Sequence, residues 1–265
     1  MADGTSFHNA RTVEWLGLRR RVRVDDVGGA AAVREVLAIG RARTNAELML
    51  DVVELGYLDR TMVTLDPTWG KGRFWSKWRP DHLVGSDIVP AKSPIGFPVD
   101  FTELPWPRCF DAVVLDGPYK LNGSGGSHPS DDAYGVATSG VSWRARHALI
   151  KAGIDEAARV LVPGGTLLVK CQDQVCGGDV RWQTREFADH AEAAGCTLVD
   201  ALLLPGHRPQ PLEQRCRRCW GTGHERVRVH PMCSACAGAG WFVPHQGHAR
   251  RNYSTLLVCR KARRS

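Results

Sequence analysis

The stretch FDAVVLDGPYKLNG, residues 110–123, runs a short apolar segment into Asp116 and then directly into Gly117, Pro118 and Tyr119. A short apolar run bounded by turn residues is typical of a strand that is buried on both faces of a sheet. The turn places a carboxylate beside a stiff backbone and an aromatic ring. We therefore expect the end of this strand to form part of a functional site.

Similar segments recur along the chain and predict the fold class. Short β-branched or leucine-rich runs alternate with helical segments such as residues 143–161 and 184–195, and residues 44–58 predict a further helix that Thr44 or Asn45 caps and Gly56 ends. Buried strands that alternate with helices indicate an α/β fold with a doubly wound, mostly parallel sheet. The predicted strands are TMVTLD, HLVGSD, FDAVVLD, GTLLVKC, CTLVDALLL and STLLVCR.

Composition and charge limit the function classes. The chain has 265 residues, 43% of them hydrophobic, and carries a formal net charge of +7 with clustered arginines. It has the length to bury a full core, and no apolar run reaches the ~18 residues of a membrane helix. We expect a cytoplasmic protein without a membrane partner, and the basic charge suits either a polyanionic partner or a solvated surface.

Three of the predicted strands end in an acid, namely Asp66, Asp87 and Asp116. In doubly wound sheets ligands bind at the carboxyl ends of the strands, although each acid could also cap a turn. After the first strand, Gly70 and Gly72 would let the backbone pass close to a ligand. Asp87, about twenty residues further on, could accept hydrogen bonds from ribose hydroxyls.

These motifs and their order resemble class I S-adenosylmethionine-dependent methyltransferases, of the type that methylates exocyclic amino groups of nucleic-acid bases. The family's Asp-Pro-Phe-x-Gly-x-Gly is similar to residues 66–72, with Thr68 in place of Phe, and its acid-Pro-Pro-aromatic turn is similar to residues 116–119, with Gly117 in place of the first Pro. The likeness covers about residues 44–205 and resumes at NYSTLLVCRK. It implies a Rossmann-like, seven-stranded sheet.

The resemblance also implies roles for individual residues. Asp116 and the Gly117 carbonyl would accept the hydrogens of the target amine, Pro118 would hold the turn, and Tyr119 would stack on a base swung out of its helix. Asp87 would bind the cofactor's ribose and Asp100 its adenine. The full cofactor-binding set is Asp66, Pro67, Thr68, Gly70, Gly72, Asp87, Ile88, Asp100 and Phe101.

A second motif lies in CRRCWGTGHERVRVHPMCSACAGAGW, residues 216–241. Two Cys-x-x-Cys pairs at this spacing are typical of a tetrahedral zinc site, with a redox pair or chance burial of the cysteines as the alternatives. Each pair continues as Cys-x-x-Cys-x-Gly-x-Gly, which resembles the zinc region of J-domain chaperones. We predict one Zn²⁺, and we expect the other five cysteines to lie in the core. The predicted zinc ligands are Cys216, Cys219, Cys233 and Cys236.

The combined motifs predict an amino-methyltransferase acting on DNA, at adenine N6 or cytosine N4. A transfer-RNA or ribosomal-RNA base is the close alternative, and a non-catalytic, zinc-dependent nucleic-acid-binding protein on a relic methyltransferase fold is the alternative from another class. We predict a basic N-terminal segment (1–43), a methyltransferase domain (44–212), a zinc insert that grips the substrate (213–245), and a final strand with a basic tail (246–265). The Gly-rich segment after Tyr119 predicts a mobile loop.

Overall fold

The computed structural model describes residues 37–38, 40–121, 142–206, 214–224, 232–242, 247–249 and 251–263. The predicted loop after Tyr119 and most of the basic N-terminal segment lie outside these ranges. The described residues from Ala38 onward belong to one compact unit.

The helices agree with the sequence predictions. The α-helices of the described residues are α1 (Asn45–Glu54), α2 (Trp143–Val160) and α3 (Gln183–Ala193). In α1 the Thr44 hydroxyl accepts a hydrogen bond from the Glu47 N–H at 3.2 Å, and Gly56 beyond the helix has a φ of 76°. None of the helices in the described part of the chain combines the length and apolar character needed to cross a bilayer.

A mixed, mostly parallel sheet forms the centre of the fold. Its strands are β1 (Val63–Asp66), β2 (His82–Gly85), β3 (Phe110–Leu115), β4 (Leu161–Cys171), β7 (Cys196–Pro205) and β10 (Tyr253–Lys261). They lie in the order β2-β1-β3-β4-β10-β7. Strand β10 is antiparallel to both of its neighbours, and the other pairings are parallel. Two small hairpins pair β5 (Gln174–Cys176) with β6 (Asp179–Arg181), and β8 (Gln214–Arg215) with β9 (Trp241–Phe242).

Helices cover both faces of this sheet, because successive residues of β3 point to opposite faces and both sets are apolar and buried. Val113 and Leu115 of β3 pack with α2 and α3, whereas Ala112 and Val114 pack with α1. The Rossmann-like, doubly wound fold class predicted from the sequence is therefore confirmed.

Two details differ from the predictions. The described residues form six strands in this sheet rather than seven. Beyond β2, one parallel bridge joins Asp87 to Pro98, and the Val99 N–H donates to the Asp87 carbonyl at 3.0 Å. Of the five cysteines expected in the core, Cys109 is exposed because it lies in the segment just before β3, while Cys171, Cys176, Cys196 and Cys259 are buried.

Candidate active site and metal centre

Asp66 and Asp116 follow two neighbouring strands, β1 and β3, and Thr68 links them. The Thr68 hydroxyl donates to Asp66 Oδ1 at 3.2 Å and accepts from the Asp116 N–H at 2.8 Å. Asp66 also accepts from the Thr68 N–H at 3.0 Å and from Trp75 Nε1 at 2.8 Å. The loop after β1 and the turn after β3 are thus joined at one edge of the sheet.

Both carboxyl groups are in a poorly solvated place. Burial raises the pKa of Asp66 to about 7 against these hydrogen bonds, and the charge of Asp116 adds to the rise. Burial also raises the pKa of Asp116, which the charge of Lys170 opposes. Asp116 Oδ1 is buried and has no hydrogen-bond partner among the described residues. A buried acceptor without a donor is costly, so this oxygen suits a donor on a bound molecule.

Lys170 of β4 is the cation of this cluster. Its side chain is 1% exposed, its ammonium group donates to Asn45 Oδ1 at the start of α1, and it lies 5.4 Å from the Phe74 ring centroid. Burial lowers the pKa of Lys170, and the charge of Asp116 opposes this. Sequence analysis missed this residue, although a lysine inside the apolar run GTLLVKC was a usable signal.

The turn at residues 117–119 is held from several sides. The Gly117 carbonyl accepts from the Tyr119 N–H at 2.8 Å, so one of its two lone pairs is used within the turn. Gly117 is buried, and a Cβ there would lie 2.4 Å from Ile150 Cδ1 of α2. Arg146 donates to the Pro118 carbonyl at 3.4 Å. This packing accounts for a residue without a side chain next to Asp116.

Two glutamines, also missed by sequence analysis, bind the Tyr119 backbone. Gln174 Nε2 and Gln183 Nε2 donate to the Tyr119 carbonyl at 2.9 and 2.7 Å. Gln174 Oε1 accepts from the Leu121 N–H at 3.0 Å. The side chain of Tyr119 is part-buried, and burial raises its pKa. The β5–β6 hairpin and the start of α3 thus hold the Tyr119 backbone in place.

The glycine loop after β1 is bonded to the end of β2. Gly70 and Gly72 have φ values of 56° and 62°, a left-handed region that favours glycine. The Gly70 N–H donates to Asp87 Oδ2 at 2.8 Å, and the Val89 N–H donates to Asp87 Oδ1 at 2.8 Å. A Cβ on Gly72 would lie 2.7 Å from the Trp69 ring, whereas one on Gly70 would meet only a backbone oxygen at 3.9 Å. The Trp69 ring therefore fills the space beside Gly72, whereas the space beside Gly70 is open.

The remaining predicted cofactor residues are Ile88, Asp100 and Phe101, which follow β2 in the chain. Ile88, beside Asp87, is 43% exposed. Asp100 is exposed, and its Oδ1 accepts from the Thr102 N–H and hydroxyl at 2.8 and 2.7 Å, as a turn-capping aspartate does. Phe101 packs against Gly153 of α2, where a Cβ would lie 2.5 Å from the Phe101 ring.

Some of the acids do cap turns, which is the alternative that the sequence left open. Asp66, Asp87 and Asp100 each bind an N–H two residues ahead in the chain. No such bond to Asp116 occurs within the described residues, and its backbone N–H is used by Thr68. Asp116 is thus set apart from the other acids by its environment.

The four cysteines of the paired motif come together in a buried cluster. Their Sγ atoms all lie within 4.8 Å of one another, with Cys216 to Cys233 at 3.8 Å and Cys219 to Cys236 at 3.7 Å. A tetrahedron with Zn–S bonds of ~2.3 Å has edges of about 3.8 Å. The four residues are free thiols rather than disulfides, so the donor set and its size fit a Zn²⁺ ion.

Glycine makes this cluster compact, because the two halves of the motif pack backbone against backbone. A Cβ on Gly223 would lie 2.2 Å from the Gly238 carbonyl oxygen, and one on Gly240 would lie 2.4 Å from the Gly221 oxygen. The Cys233 N–H donates to the Gly223 carbonyl at 2.7 Å, and the Cys216 N–H to the Gly240 carbonyl at 2.8 Å. The repeated Gly-x-Gly is thus a packing requirement of the paired knuckles.

No protein-family model matches the sequence. Among solved structures, the [4+2]-cyclase SpnF is 18% identical with a TM-score of 0.45, over 82% of this chain and 81% of that one. A Burkholderia thailandensis 1,6-didemethyltoxoflavin-N1-methyltransferase with bound S-adenosylhomocysteine is 17% identical with a TM-score of 0.39, over 82% and 76%. A Thermus thermophilus protein described as a DNA modification methylase, complexed with S-adenosyl-L-methionine, is 16% identical with a TM-score of 0.36, over 63% and 54%. Likenesses this distant identify neither activity nor substrate, so the candidate function rests on the site itself.

Proposed function

We propose that this protein is an S-adenosylmethionine-dependent methyltransferase that acts on an exocyclic amino nitrogen of a nucleic-acid base. DNA is the proposed substrate and RNA is the alternative. The observation that carries the proposal is the buried Oδ1 of Asp116, which has no hydrogen-bond partner among the described residues and lies in the same turn as Tyr119 at the carboxyl edge of the sheet. An aromatic amine has two N–H donors, which suit this oxygen and the remaining lone pair of the Gly117 carbonyl.

The residues of the turn have distinct roles in the reaction. When bound, S-adenosylmethionine supplies a methyl group on a positively charged sulfur. Asp116 and the Gly117 carbonyl orient the amine by accepting its two hydrogens, which increases the electron density on its nitrogen. Asp116 then accepts the proton that the amine loses, a role aided by the burial that raises its pKa. Tyr119 offers a ring for the base to stack on.

The cofactor would lie along the open side of the glycine loop. The left-handed Gly70 leaves space in front of the backbone, and Asp87 on the rim keeps lone pairs free for ribose hydroxyls. Lys170, Asn45 and Asp66 provide charged and polar groups at the methionine end. Asp100 and Phe101 would border the adenine.

Calorimetric titration with S-adenosylhomocysteine tests this arrangement. Asp87→Ala removes a charged acceptor and should cost about 1.5–3 kcal/mol, or roughly ten- to hundredfold in affinity. The matched control is Asp81→Ala, an exposed acid that pairs with Arg60 just before β2 and should bind normally. Equal affinities for the two variants would reject the assignment of Asp87.

The cysteine cluster would hold one structural Zn²⁺ and support a module that grips nucleic acid. Large apolar side chains on this module are unusually exposed, with Trp220 at 55%, Met232 at 64% and Trp241 at 50%, and the exposed Arg217 lies three positions before Trp220. Metal analysis of protein purified without added zinc should give about one equivalent, which Cys219→Ser should lose with little effect on cofactor affinity. Absence of metal, or a disulfide under reducing conditions, would refute the zinc site.

Substrate class is tested by tritiated methyl transfer to DNA, bulk RNA and protein, followed by nucleoside analysis. The proposal predicts a methylated adenine or cytosine amino group in DNA. Label in RNA alone would move the assignment to an RNA base, and label in protein alone would refute the nucleic-acid substrate. Label in none of the three would refute the proposed activity in favour of a non-catalytic binding protein.

A further inference from the structure

A surface beside the Asp116–Tyr119 turn combines exposed tryptophan with arginine, and the proposed reaction leaves it unused. The guanidinium carbons of Arg144 and Arg181 lie 4.5 and 4.1 Å from the Trp143 ring centroid, and that of Arg251 lies 4.7 Å from the Trp182 ring centroid. A cleft of about 300 Å³ opens between the two tryptophans. We call this surface the tryptophan–arginine patch, formed by Trp143, Arg144, Arg181, Trp182, Arg185 and Arg251.

Each element that carries the patch is bonded to the turn or to its supports. Trp182 directly precedes Gln183, whose side chain binds the Tyr119 carbonyl at 2.7 Å. Trp143 lies one helical turn before Arg146, which donates to the Pro118 carbonyl at 3.4 Å. The Arg251 carbonyl accepts from Gln172 Nε2 at 3.0 Å. The elements that carry the patch are therefore held in a fixed place relative to the backbone of the Asp116–Tyr119 turn.

Packing within the protein does not account for the patch. The Trp182 side chain is 50% exposed, and a half-exposed indole with an arginine on one face leaves its other surface to a partner. Arg144 and Arg251 have no carboxylate partner among the described residues. The acids near the patch are already paired, Glu186 with Lys151 and His147, Asp189 with the patch's Arg185 at 3.7 Å, and Asp179 with the patch's Arg181 at 2.9 Å.

Planar aromatic rings, together with the guanidinium groups of Arg144 and Arg251, which have no carboxylate partner among the described residues, suit one kind of partner, an unpaired nucleotide strand. Bases stack on tryptophan whatever their sequence, and arginine binds phosphate through its planar fork. We propose that the patch holds the unpaired nucleotides that flank the target base, with one base on Trp182 and phosphates at Arg144 and Arg251. The inference rests on the proposed function, because it takes the target base to enter beside Tyr119.

Equilibrium binding tests the patch without any need for catalysis. The probe is a fluorescein-labelled 12-nucleotide single strand of DNA, read by anisotropy with saturating S-adenosylhomocysteine. Trp182→Ala should weaken binding roughly 5- to 150-fold, and Trp182→Phe should keep most of the affinity because stacking needs only a ring. The double variant Arg144→Ala/Arg251→Ala should also reduce the salt dependence, by about 1.4 in the slope of log K against log salt.

The matched controls are Arg60→Ala, an exposed arginine before β1, and Val199→Ala, an exposed apolar residue on β7 that is 40% accessible. Both should bind the strand as the wild type does. The inference is overturned if the wild type does not bind the strand, if Trp182→Ala binds within twofold of the wild type, or if Arg60→Ala loses as much affinity as the double variant.

Methyl transfer measured on the same proteins separates this inference from the proposed function. If Trp182→Ala transfers methyl groups as fast as the wild type at substrate concentrations below saturation, the role of the patch is refuted and the proposed activity is retained. Binding that depends on Trp182 without any transfer to nucleic acid would support the patch as a strand-binding surface and refute the proposed activity.

Discussion

The Thr68 hydroxyl is a small group with a large expected effect, because it connects the two acids of the site. Thr68→Val keeps the size of the side chain but removes the oxygen that accepts from the Asp116 N–H at 2.8 Å and donates to Asp66 at 3.2 Å. The first loss leaves a part-buried N–H without a partner, which costs about 1–3 kcal/mol. The second is milder, because Asp66 keeps its bonds from the Thr68 N–H and Trp75.

Urea unfolding in the presence of zinc measures this cost, with Thr68→Ser as the matched control that keeps the hydroxyl. We expect Thr68→Val to lose about 1–3 kcal/mol of unfolding free energy and Thr68→Ser to lose well under half as much. A Thr68→Val protein as stable as Thr68→Ser would show that the bridge between the two strand ends contributes nothing, and the reasoning would fail.

Three further predictions follow from the same contacts. Burial raises the pKa of Asp66 to about 7 in the folded state, so the free energy of unfolding should fall by roughly 2–4 kcal/mol as pH rises from about 4 to 7. Denaturant titrations of Asp66→Asn should lose most of this pH dependence. Lys170→Met removes the cation that opposes the raised pKa of Asp116, so the acidic limb of the pH–rate profile for methyl transfer should move to higher pH. An acidic limb at the wild-type pH would show that the charge of Lys170 does not act on Asp116. Gly223→Ala puts a Cβ at a φ of 80° and 2.2 Å from the Gly238 oxygen, so chelator competition should show at least about tenfold weaker zinc retention than in Gly247→Ala, whose Cβ meets nothing within 4 Å.

Local patterns in the sequence predict much of the fold, since the caps and apolar periods are encoded within a few residues. The Thr44 cap, the strand that ends at Asp116 and the paired cysteines are all local signals of this kind. The seventh strand that the resemblance implies is represented within the described residues by one bridge, in which the Val99 N–H donates to the Asp87 carbonyl at 3.0 Å.

The support of the site could not be predicted in the same way. Gln174 and Gln183 bind the Tyr119 carbonyl from 55 and 64 positions away, and which side chains meet over such separations is decided by tertiary packing. The β5–β6 hairpin that carries Gln174 did have a usable signal, the Gly177–Gly178 pair with φ values of 65° and 87°. Thr68 shows the converse case, in which a departure from the resembled motif has a structural purpose: the hydroxyl bonds the Asp116 backbone, which phenylalanine could not do.

The central claim is that Asp116 accepts the hydrogens of the amine that is methylated, and single-turnover methyl transfer tests it most directly. Wild type, Asp116→Asn and Asp116→Ala are each mixed with labelled S-adenosylmethionine and saturating DNA, and cofactor binding is measured in parallel by calorimetry. The account predicts that Asp116→Ala binds the cofactor nearly normally and transfers no label, while Asp116→Asn, which keeps one acceptor oxygen, transfers slowly. Transfer by Asp116→Ala at the wild-type rate would contradict it.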